Sequence, residues 1–258
     1  NFRNGFGRGS RATLLAVAAA GAAWVPLLAW GGLVHRWSFN DGTANDSVGT
    51  ANGTLYNGAA IADGQLVLNG TDPLTRMQTG AFGHALGADK TLVAWFTLND
   101  PTDGATSGGP LSVENQNGLW TVFDAIVYGE QTTRQWMNGS DMWYRTPNPT
   151  SGGNGGALEP AASTNEIMMA IVYDSAAGNK IKLYRNGALY AQHNQGALAT
   201  FDAAAVAVIG PRVSWADGQC WGYLNGKVND ARIYDTALSA AEIATLHDEG
   251  PNPTADFS

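Results

Sequence analysis

The segment KIKLYRNGALYAQ, residues Lys180–Gln192, places two short alternating runs on either side of Asn186-Gly187. A type I′ hairpin turn needs positive φ at both of its central residues, and Asn-Gly tolerates that conformation best. The dipeptide therefore predicts that the chain folds back tightly here.

The alternation on both sides of this turn predicts which side chains share a face of the hairpin. Ile181 and Leu183 point to one face, because successive side chains of a strand alternate. We expect Leu189 and Ala191 to continue the same apolar face after the turn. The segment thus predicts a half-buried antiparallel hairpin that serves the fold, and it carries no sign of a catalytic loop.

The composition of the chain favours an all-β sandwich. Its 258 residues include 33 Gly and 9 Trp, and only 14% are charged. Few charges, much glycine and many short alternating runs are typical of sandwiches rather than of helical proteins. The net charge is −8 and no cluster of Lys and Arg is present, which argues against nucleic acid as a partner. The single cysteine, Cys220, excludes a disulfide within the chain and a zinc site built on several cysteines.

Residues 1–31 differ from the rest of the chain. The first 11 residues contain three Arg and no acid, and the 19 residues Ala12–Trp30 carry no charged side chain. A basic segment followed by an apolar one predicts a secretory signal peptide, with cleavage after Ala29. The same 19 residues also reach the length of a membrane-spanning or assembly helix, and both alternatives stay open. We expect a secreted or cell-surface protein, anchored to a membrane if residues 12–30 are retained.

Residues 32–248 are predicted to form one domain of short strands with a single helix. LVHRWSFN, from Leu33, reads as the first strand, and KTLVAWFTLND, from Lys90, is the most apolar run and the expected central strand. In LSAAEIATLHDEGP, Ser239 and Glu242 have the spacing of a capping box at the start of a helix. Residues 249–258 are expected to be a linker towards a further domain.

Several segments, in this order, resemble the laminin-G-like, concanavalin A-like jelly-roll domains, especially those of the bacterial type. The segments are HRWSFNDGTANDSVG, TLVAWFTLN, IMMAIVYD followed by KIKLYRNGALY, and GYLNGKVNDARIYDTALSAAEIATLH. The most specific part is the strand ending in Arg-Ile-Tyr that is followed by Ala-Leu-Ser-x-x-Glu-Ile. The resemblance covers residues 33–248 and implies two antiparallel sheets packed face to face.

No catalytic motif accompanies the resemblance. Enzymes of this fold that cut β-glucans resemble one another in a Glu-x-Asp-x-x-Glu strand, which places two carboxylates on one face. None of the glutamates of this chain has that spacing, and neither His-Glu-x-x-His nor Gly-x-Ser-x-Gly occurs. We therefore expect a non-catalytic protein. A glycan-degrading enzyme or its accessory module, with an unrecognised pair of carboxylates, is the least favoured alternative.

Four oxygen-bearing side chains suggest a calcium site. Asp41, Asn45 and Asp46 follow the first strand, and Asp230 lies in the last strand pair. Asp and Asn oxygens suit Ca²⁺, and in the domains that this chain resembles a calcium commonly ties the first loop to the last strand. We expect a structural Ca²⁺ here. The alternative is that these residues only form Asx turns in a glycine-rich loop.

The segment 135–160 is predicted to be a long loop that presents aromatic and polar side chains to a sugar. A flat aromatic ring beside amides and carboxylates suits the apolar faces and the hydroxyl groups of a sugar ring. The candidate ligand-binding residues are Trp136, Asn138, Asp141, Trp143, Tyr144 and Arg145. The alternative is that the aromatic residues close the edge of the sandwich.

A third aromatic group, Trp215, Trp221 and Tyr223, is interpreted as core or surface packing of the last strands. Taken together, the sequence predicts an exported, non-catalytic jelly-roll module that binds a glycan or an extracellular partner. The second hypothesis is a structural subunit of a membrane-bound or filamentous assembly held through residues 12–30, and a homo-oligomer is left open.

Overall fold

The computed structural model describes residues 32–252, with gaps at residues 71, 73, 103–106, 117–120, 148–155, 163, 179 and 216–217. The predicted N-terminal segment, residues 1–31, lies outside the described residues, and so do residues 253–258 of the predicted linker. Within the described ranges, no helix is long and apolar enough to cross a membrane.

The described residues form two antiparallel sheets packed face to face, together with one helix, so the predicted jelly-roll sandwich is confirmed. In chain order the strands are β1 (Leu33–Trp37), β2 (Gly53–Tyr56), β3 (Ala60–Ala62), β4 (Gln65–Asn69), β5 (Arg76–Thr79), β6 (Lys90–Leu98), β7 (Gly109–Glu114), β8 (Phe123–Tyr128), β9 (Trp136–Ser140), β10 (Ile167–Asp174), β11 (Lys180–Arg185), β12 (Ala188–His193), β13 (Val206–Gly210), β14 (Val213–Ser214), β15 (Cys220–Trp221) and β16 (Asn225–Tyr234).

The larger sheet has eight strands in the order β12-β11-β10-β6-β16-β4-β3, and β1 also pairs with β16. The smaller sheet has six strands in the order β2-β5-β13-β7-β8-β9, and β14 and β15 form a separate two-stranded hairpin. Strand β6 pairs with β10 on one side and β16 on the other, as expected of the most apolar run in the chain. Nearly all of its residues are buried.

The main core lies between the inner faces of the two sheets. Trp37, Phe96 and Trp136 are among its largest side chains, and all three are fully buried. The Trp136 ring lies 4.9 Å from that of Phe96 and 4.5 Å from that of Tyr128, with tilted planes. Removal of this apolar surface from water is the main favourable term in the folding of such a domain.

The hairpin β11–β12 confirms the predicted turn but not the predicted face of every residue. Asn186 and Gly187 have φ of 48° and 78°, the two positive values that a type I′ turn requires. A bulge then shifts the register, so that Leu183 pairs with Ala191 while Tyr184 pairs with Leu189. Leu189 therefore leaves the core face and is 53% exposed, because the bulge adds one residue to β12.

The helix α1 (Ala240–Glu249) begins and ends as predicted. The Ser239 hydroxyl accepts from the Glu242 amide at 3.3 Å, and the Glu242 carboxylate accepts from the Ser239 amide at 2.7 Å. These two bonds form the capping box. Ile243 and Leu246 are fully buried, and Gly250 follows the last turn with φ of 75°.

The sequence predicted that the segment 135–160 is a long loop, but part of this segment is a strand. Its first part is the edge strand β9, in which Trp136, Asn138 and Ser140 alternate with Met137 and Gly139. Asn138-Gly139 reads as a turn in sequence, but both residues lie in the strand. A β-carbon on Gly139 would lie 2.6 Å from Val127 Cγ2, so glycine here allows a close approach between neighbouring strands.

Candidate functional site

The outer face of the smaller sheet carries a second, smaller apolar cluster. On strand β8 the outward side chains are Phe123, Ala125 and Val127, and Met137 lies beside them on β9. Val213 completes the cluster, and Trp143 and Trp215 pack against it. These outward side chains are covered because two other segments fold over this face.

The first covering segment is the hairpin β14–β15. The amide of Arg212 donates to the carbonyl oxygen of Trp221 at 2.9 Å, and that of Trp215 donates to the carbonyl oxygen of Gln219 at 2.7 Å. The Ser112 hydroxyl of β7 donates to the Arg212 carbonyl oxygen at 2.7 Å, which fixes the hairpin to the sheet.

The buried carboxylate of Glu114, on β7, also fixes this hairpin to the sheet. Glu114 is fully buried and accepts from the amide and the hydroxyl of Ser214 at 2.8 and 2.5 Å. Burial raises the pKa of Glu114 to about 7, although the hydrogen bonds from Ser214 and Gln116 oppose this rise. Ser214 lies between Val213 and Trp215, so these bonds position both flanking side chains.

The second covering segment is the 3₁₀ turn Asp141–Trp143, directly after β9. Met142 and Trp143 have φ of 46° and 61°, in the left-handed region that residues other than glycine rarely adopt. Such strain is typical of functional sites and persists only where the surroundings hold it. Here Arg145 supplies the hold: its Nε donates to the Asp124 carboxylate at 2.8 Å, and its Nη2 donates to the Phe123 carbonyl oxygen at 2.9 Å.

Behind the turn lies a group of buried charges. The Lys90 ammonium lies 3.0 Å from Asp124 Oδ2, and both side chains are fully buried. Arg145 binds the other oxygen of Asp124 and also pairs with Asp141. Burial lowers the pKa of Lys90, and the Asp124 carboxylate opposes that shift. One carboxylate thus neutralises two cations that link β6, β8 and the 3₁₀ turn.

Between the hairpin and the turn lies an open pocket of about 290 Å³. Its walls combine tryptophan, other apolar and charged side chains. Its lining residues are Thr121, Phe123, Glu130, Ser140, Asp141, Met142, Trp143, Arg212, Val213, Trp215 and Trp221.

The tryptophan side chains give the pocket its apolar surface. The rings of Trp215 and Trp221 lie 5.6 Å apart at an angle of 48°. Trp221 is 46% exposed and Met142 is 65% exposed, so both offer apolar surface to a ligand. Pockets that bind small molecules typically combine such surface with a few polar groups.

The polar groups of the pocket include an ion pair. Arg212 Nη2 lies 3.0 Å from Glu130 Oε1, and the guanidinium carbon lies 5.7 Å from the centre of the Trp221 ring. Burial raises the pKa of Glu130 and lowers that of Arg212, while the attraction between the two charges opposes both shifts. The pair offers a donor and an acceptor side by side at the wall of an aromatic pocket.

The structure divides the six residues predicted to bind a ligand. Asp141 and Trp143 line the pocket, and Tyr144 lies in the same segment, 66% exposed but outside the lining. The other three do not present their side chains to solvent. Trp136 and Asn138 are fully buried, and Arg145 is 5% exposed.

The buried three are structural, which corrects the prediction of a surface platform that includes them. The Trp136 indole N–H donates to Glu159 Oε1 at 2.8 Å in the core. The Asn138 amide donates to the Arg145 carbonyl oxygen at 2.6 Å, and its oxygen lies 2.9 Å from His193 Nε2. Their direction follows from the inward face of β9, which the sequence interpretation as a loop did not anticipate.

Nine of the eleven lining residues were not predicted as ligand-binding, and they include Trp215, Trp221, Glu130 and Arg212. Trp215 and Trp221 were interpreted as packing, Glu130 was considered only as one of the glutamates without catalytic spacing, and Arg212 was not considered. A signal for the two tryptophans exists in the sequence, because Asp217-Gly218 between them is a typical hairpin turn. No local pattern connects them to Trp143.

The carboxylate of Asp46, one of the predicted calcium ligands, already binds several donors of the protein. The carboxylate of Asp46 accepts from the amides of Arg36, Gly49 and Ala51 at 2.9–3.1 Å, and it binds His35 Nδ1 at 2.6 Å. These bonds from amides and His35 lower the pKa of Asp46 to about 2, against the effect of burial. The Asp46 oxygens therefore already bind protein donors that order the first loop.

The other predicted ligands do not complete a calcium site. Asp230 faces two guanidinium groups, Arg36 at 2.8 Å and Arg232 at 2.8 Å, and Asp41 accepts from the amide of Thr43 at 2.9 Å. Across the described ranges, no group of three or more His, Cys, Asp or Glu could hold a metal ion. Asp41, Asp46 and Asp230 thus do not form such a group in this arrangement, and calcium binding by the chain stays a prediction.

Comparison with known proteins agrees with this fold. The family model of the concanavalin A-like lectin/glucanases superfamily matches residues 69–244, which is more than half of the chain. A search of the curated proteins found none that matches.

Three solved structures illustrate the likeness. Domain 4 of AbnA, a GH43 extracellular arabinanase from Geobacillus stearothermophilus in complex with arabinotriose, has a TM-score of 0.60 at 19% identity, over 84% of this chain and 98% of that chain. The Trypanosoma rangeli sialidase in complex with sialic acid has a TM-score of 0.56 at 16% identity, over 84% and 33%. The binding domain of Paraclostridial Mosquitocidal Protein 1 has a TM-score of 0.52 at 15% identity, over 84% and 52%.

At these identities the likeness to solved structures shows the fold alone. The family match and the observed two-sheet architecture agree with each other and with the sequence resemblance. The chain belongs to the concanavalin A-like lectin/glucanases superfamily.

Proposed function

We propose that this chain is an exported, non-catalytic module that binds carbohydrate in the pocket between the 3₁₀ turn Asp141–Trp143 and the hairpin β14–β15. The observation that carries the proposal is the presence of three tryptophans, Trp143, Trp215 and Trp221, beside one donor–acceptor pair in a single open pocket. Sugar rings have apolar C–H faces and a rim of hydroxyl groups, and this combination matches both.

The geometry of the pocket supports the proposal beyond its composition. Trp221 keeps nearly half of its surface exposed, and its ring lies beside Trp215 and Arg212. The strained Met142 and Trp143 are held by buried bonds of Arg145, so the opposite wall is also preformed. A preformed site loses less conformational entropy on binding than a mobile one.

Similar structures agree with a role in glycan recognition. The arabinanase domain was solved in complex with arabinotriose, and the sialidase was solved in complex with sialic acid. The arabinanase domain corresponds to almost the whole of its own chain and to 84% of this one, which favours the comparison with a separate binding module.

A glycan-cleaving activity is the second candidate, because two carboxylates, Glu130 and Asp141, line the same pocket. Burial raises the pKa of Glu130, which is the direction required of a general acid. Both carboxylates are paired with arginines, however, and binding is therefore the function we favour. Release of reducing ends from a panel of polysaccharides, abolished in Glu130→Gln, would favour cleavage instead.

The binding proposal is tested on a glycan array followed by calorimetry on the bound oligosaccharide. We expect Trp221→Ala to weaken binding at least about tenfold, which corresponds to about 1.4 kcal/mol. The matched control is Tyr144→Ala, since Tyr144 is an exposed aromatic residue of the neighbouring segment that does not line the pocket. Trp221 is 46% exposed and Tyr144 is 66% exposed, so we expect both variants to fold.

Two results would contradict the proposal. One is an array on which no glycan binds the folded protein. The other is an equal effect of the two substitutions on binding, since the pocket would then not be the site. The alternative of a structural subunit stays a prediction, because residues 12–30 lie outside the described residues.

A further inference from the structure

Among the lining residues that the structure describes, one side chain is cationic, and it is already paired. Arg212 Nη2 lies 3.0 Å from Glu130 Oε1, and its Nη1 donates to the carbonyl oxygen of Ser107 at 3.3 Å. The Arg212 and Glu130 side chains are only 16% and 12% exposed. A sugar carboxylate or sulfate that approached Arg212 would have to compete with Glu130 in a partly buried place.

The second charged group in the lining is also acidic. Asp141 lines the pocket, and its partner Arg145, which is almost fully buried, also binds the buried Asp124. The lining therefore holds two carboxylates and one guanidinium.

We propose that the pocket selects neutral sugars and discriminates against acidic ones. The inference rests on the proposed function and specifies its ligand class. An anionic sugar would bring its charge next to Glu130 and Asp141, and like charges in a partly buried site repel one another strongly.

A neutral sugar meets no such repulsion. A hydroxyl group both donates and accepts, so neighbouring hydroxyls can donate to Glu130 and accept from Arg212 without breaking the ion pair. The apolar face of the ring is then free to lie against Trp221. Specificity arises in this way from the repulsion of acidic competitors as well as from contacts with the ligand.

The test measures binding of the full chain to matched pairs of oligosaccharides that differ in charge. The probes are lactose and sialyllactose, xylo-oligosaccharides with and without glucuronate, and oligogalacturonates with and without methyl esters. In every pair of which at least one member binds, we expect the neutral oligosaccharide to bind at least about tenfold more tightly than its acidic counterpart.

A variant assigns this preference to the ion pair. Glu130→Gln removes one carboxylate and leaves Arg212 with an unpaired charge, so the preference for the neutral member is expected to fall at least about fivefold. The control is Glu166→Gln, which changes the net charge equally at an exposed residue next to β10 of the larger sheet. Melting curves of both variants check that they fold.

The outcomes separate this inference from the proposed function. Tighter binding of the acidic members, lost in Trp221→Ala, would overturn the neutral-sugar inference and leave glycan binding in the pocket standing. Equal changes of preference in Glu130→Gln and Glu166→Gln would also overturn it. If neither any glycan of the array nor any member of the pairs binds the folded protein, both the inference and the proposed function are wrong.

Discussion

Asp124→Asn tests the buried charges that hold the 3₁₀ turn in place. The Asp124 carboxylate binds Lys90 at 3.0 Å and Arg145 at 2.8 Å, and the exposed fraction of the three side chains is 0–6%. The substitution keeps the shape of the side chain but removes the only charge that neutralises both cations directly. Removing one partner of a buried ion pair costs about 3–5 kcal/mol, because the remaining charge stays buried without compensation.

The loss of unfolding free energy in Asp124→Asn can be measured by calorimetry and by denaturant titration. Domains of this size lose about 2–4 °C of melting temperature per kcal/mol, so we expect a fall of roughly 6–20 °C. A loss of this order is a large share of the total stability of a domain, which is about 5–15 kcal/mol.

The matched control is Asp174→Asn. Asp174 pairs with Lys182 at 2.8 Å, but these side chains are 19% and 24% exposed, so water screens the pair. A pair of this kind contributes about 1 kcal/mol or less. If Asp124→Asn and Asp174→Asn lower the free energy of unfolding equally, the reasoning that the buried cluster holds the turn is refuted.

Three further predictions concern stability. The pKa of Glu114 is raised from 4.5 to about 7 in the folded protein, so its stabilising effect is complete below pH 4.5 and disappears as the pH rises to 7. Denaturant midpoints should therefore decline with pH across this window in the native protein relative to Glu114→Gln, and parallel pH profiles would contradict the assignment. Because amides and guanidinium groups already occupy the oxygens of Asp46 and Asp230, we expect the same melting temperature in millimolar calcium and in EDTA; a rise with calcium would confirm the sequence prediction instead. Ser239→Ala removes the helix cap and should cost about 1 kcal/mol of unfolding free energy, while an unchanged midpoint would show that the cap contributes nothing.

Local patterns in the sequence predicted the parts of the fold that local chemistry decides. Asn186-Gly187 adopts the two positive φ values of its turn at little cost, and Ser239 with Glu242 satisfies free amides at the helix start. The continuous apolar run of β6 required burial on both faces, which only a central strand provides. These elements depend on residues a few positions apart, and sequence alone was sufficient for them.

Other features depend on tertiary contacts that no local pattern contains. Asn138-Gly139 has the same turn signal as Asn186-Gly187, but pairing with β8 holds it in a strand, and the Asn138 side chain bonds to His193 and donates to the Arg145 carbonyl oxygen. In a similar way, the bulge in β12 turns Leu189 out of the core, and strict alternation could not predict this.

The candidate site was predicted only in part for the same reason. Trp143 and Asp141 were identified from their segment, whereas Trp221 and Arg212 come from a hairpin some 70 residues away and meet them only in the folded chain. The calcium prediction could not take into account that His35 and Arg36, both on the first strand, bind the carboxylates of Asp46 and Asp230.

The central claim, that the tryptophan pocket is the glycan site, is tested most directly by NMR of the indole N–H groups. The bound array oligosaccharide is titrated into the ¹⁵N-labelled chain, and the resonances are assigned by single tryptophan substitutions. The account predicts saturable shifts of the indole signals of Trp215 and Trp221, with those of the buried Trp37 and Trp136 unchanged. Saturable binding that leaves the signals of Trp215 and Trp221 unmoved would place the site elsewhere on the molecule and contradict the account.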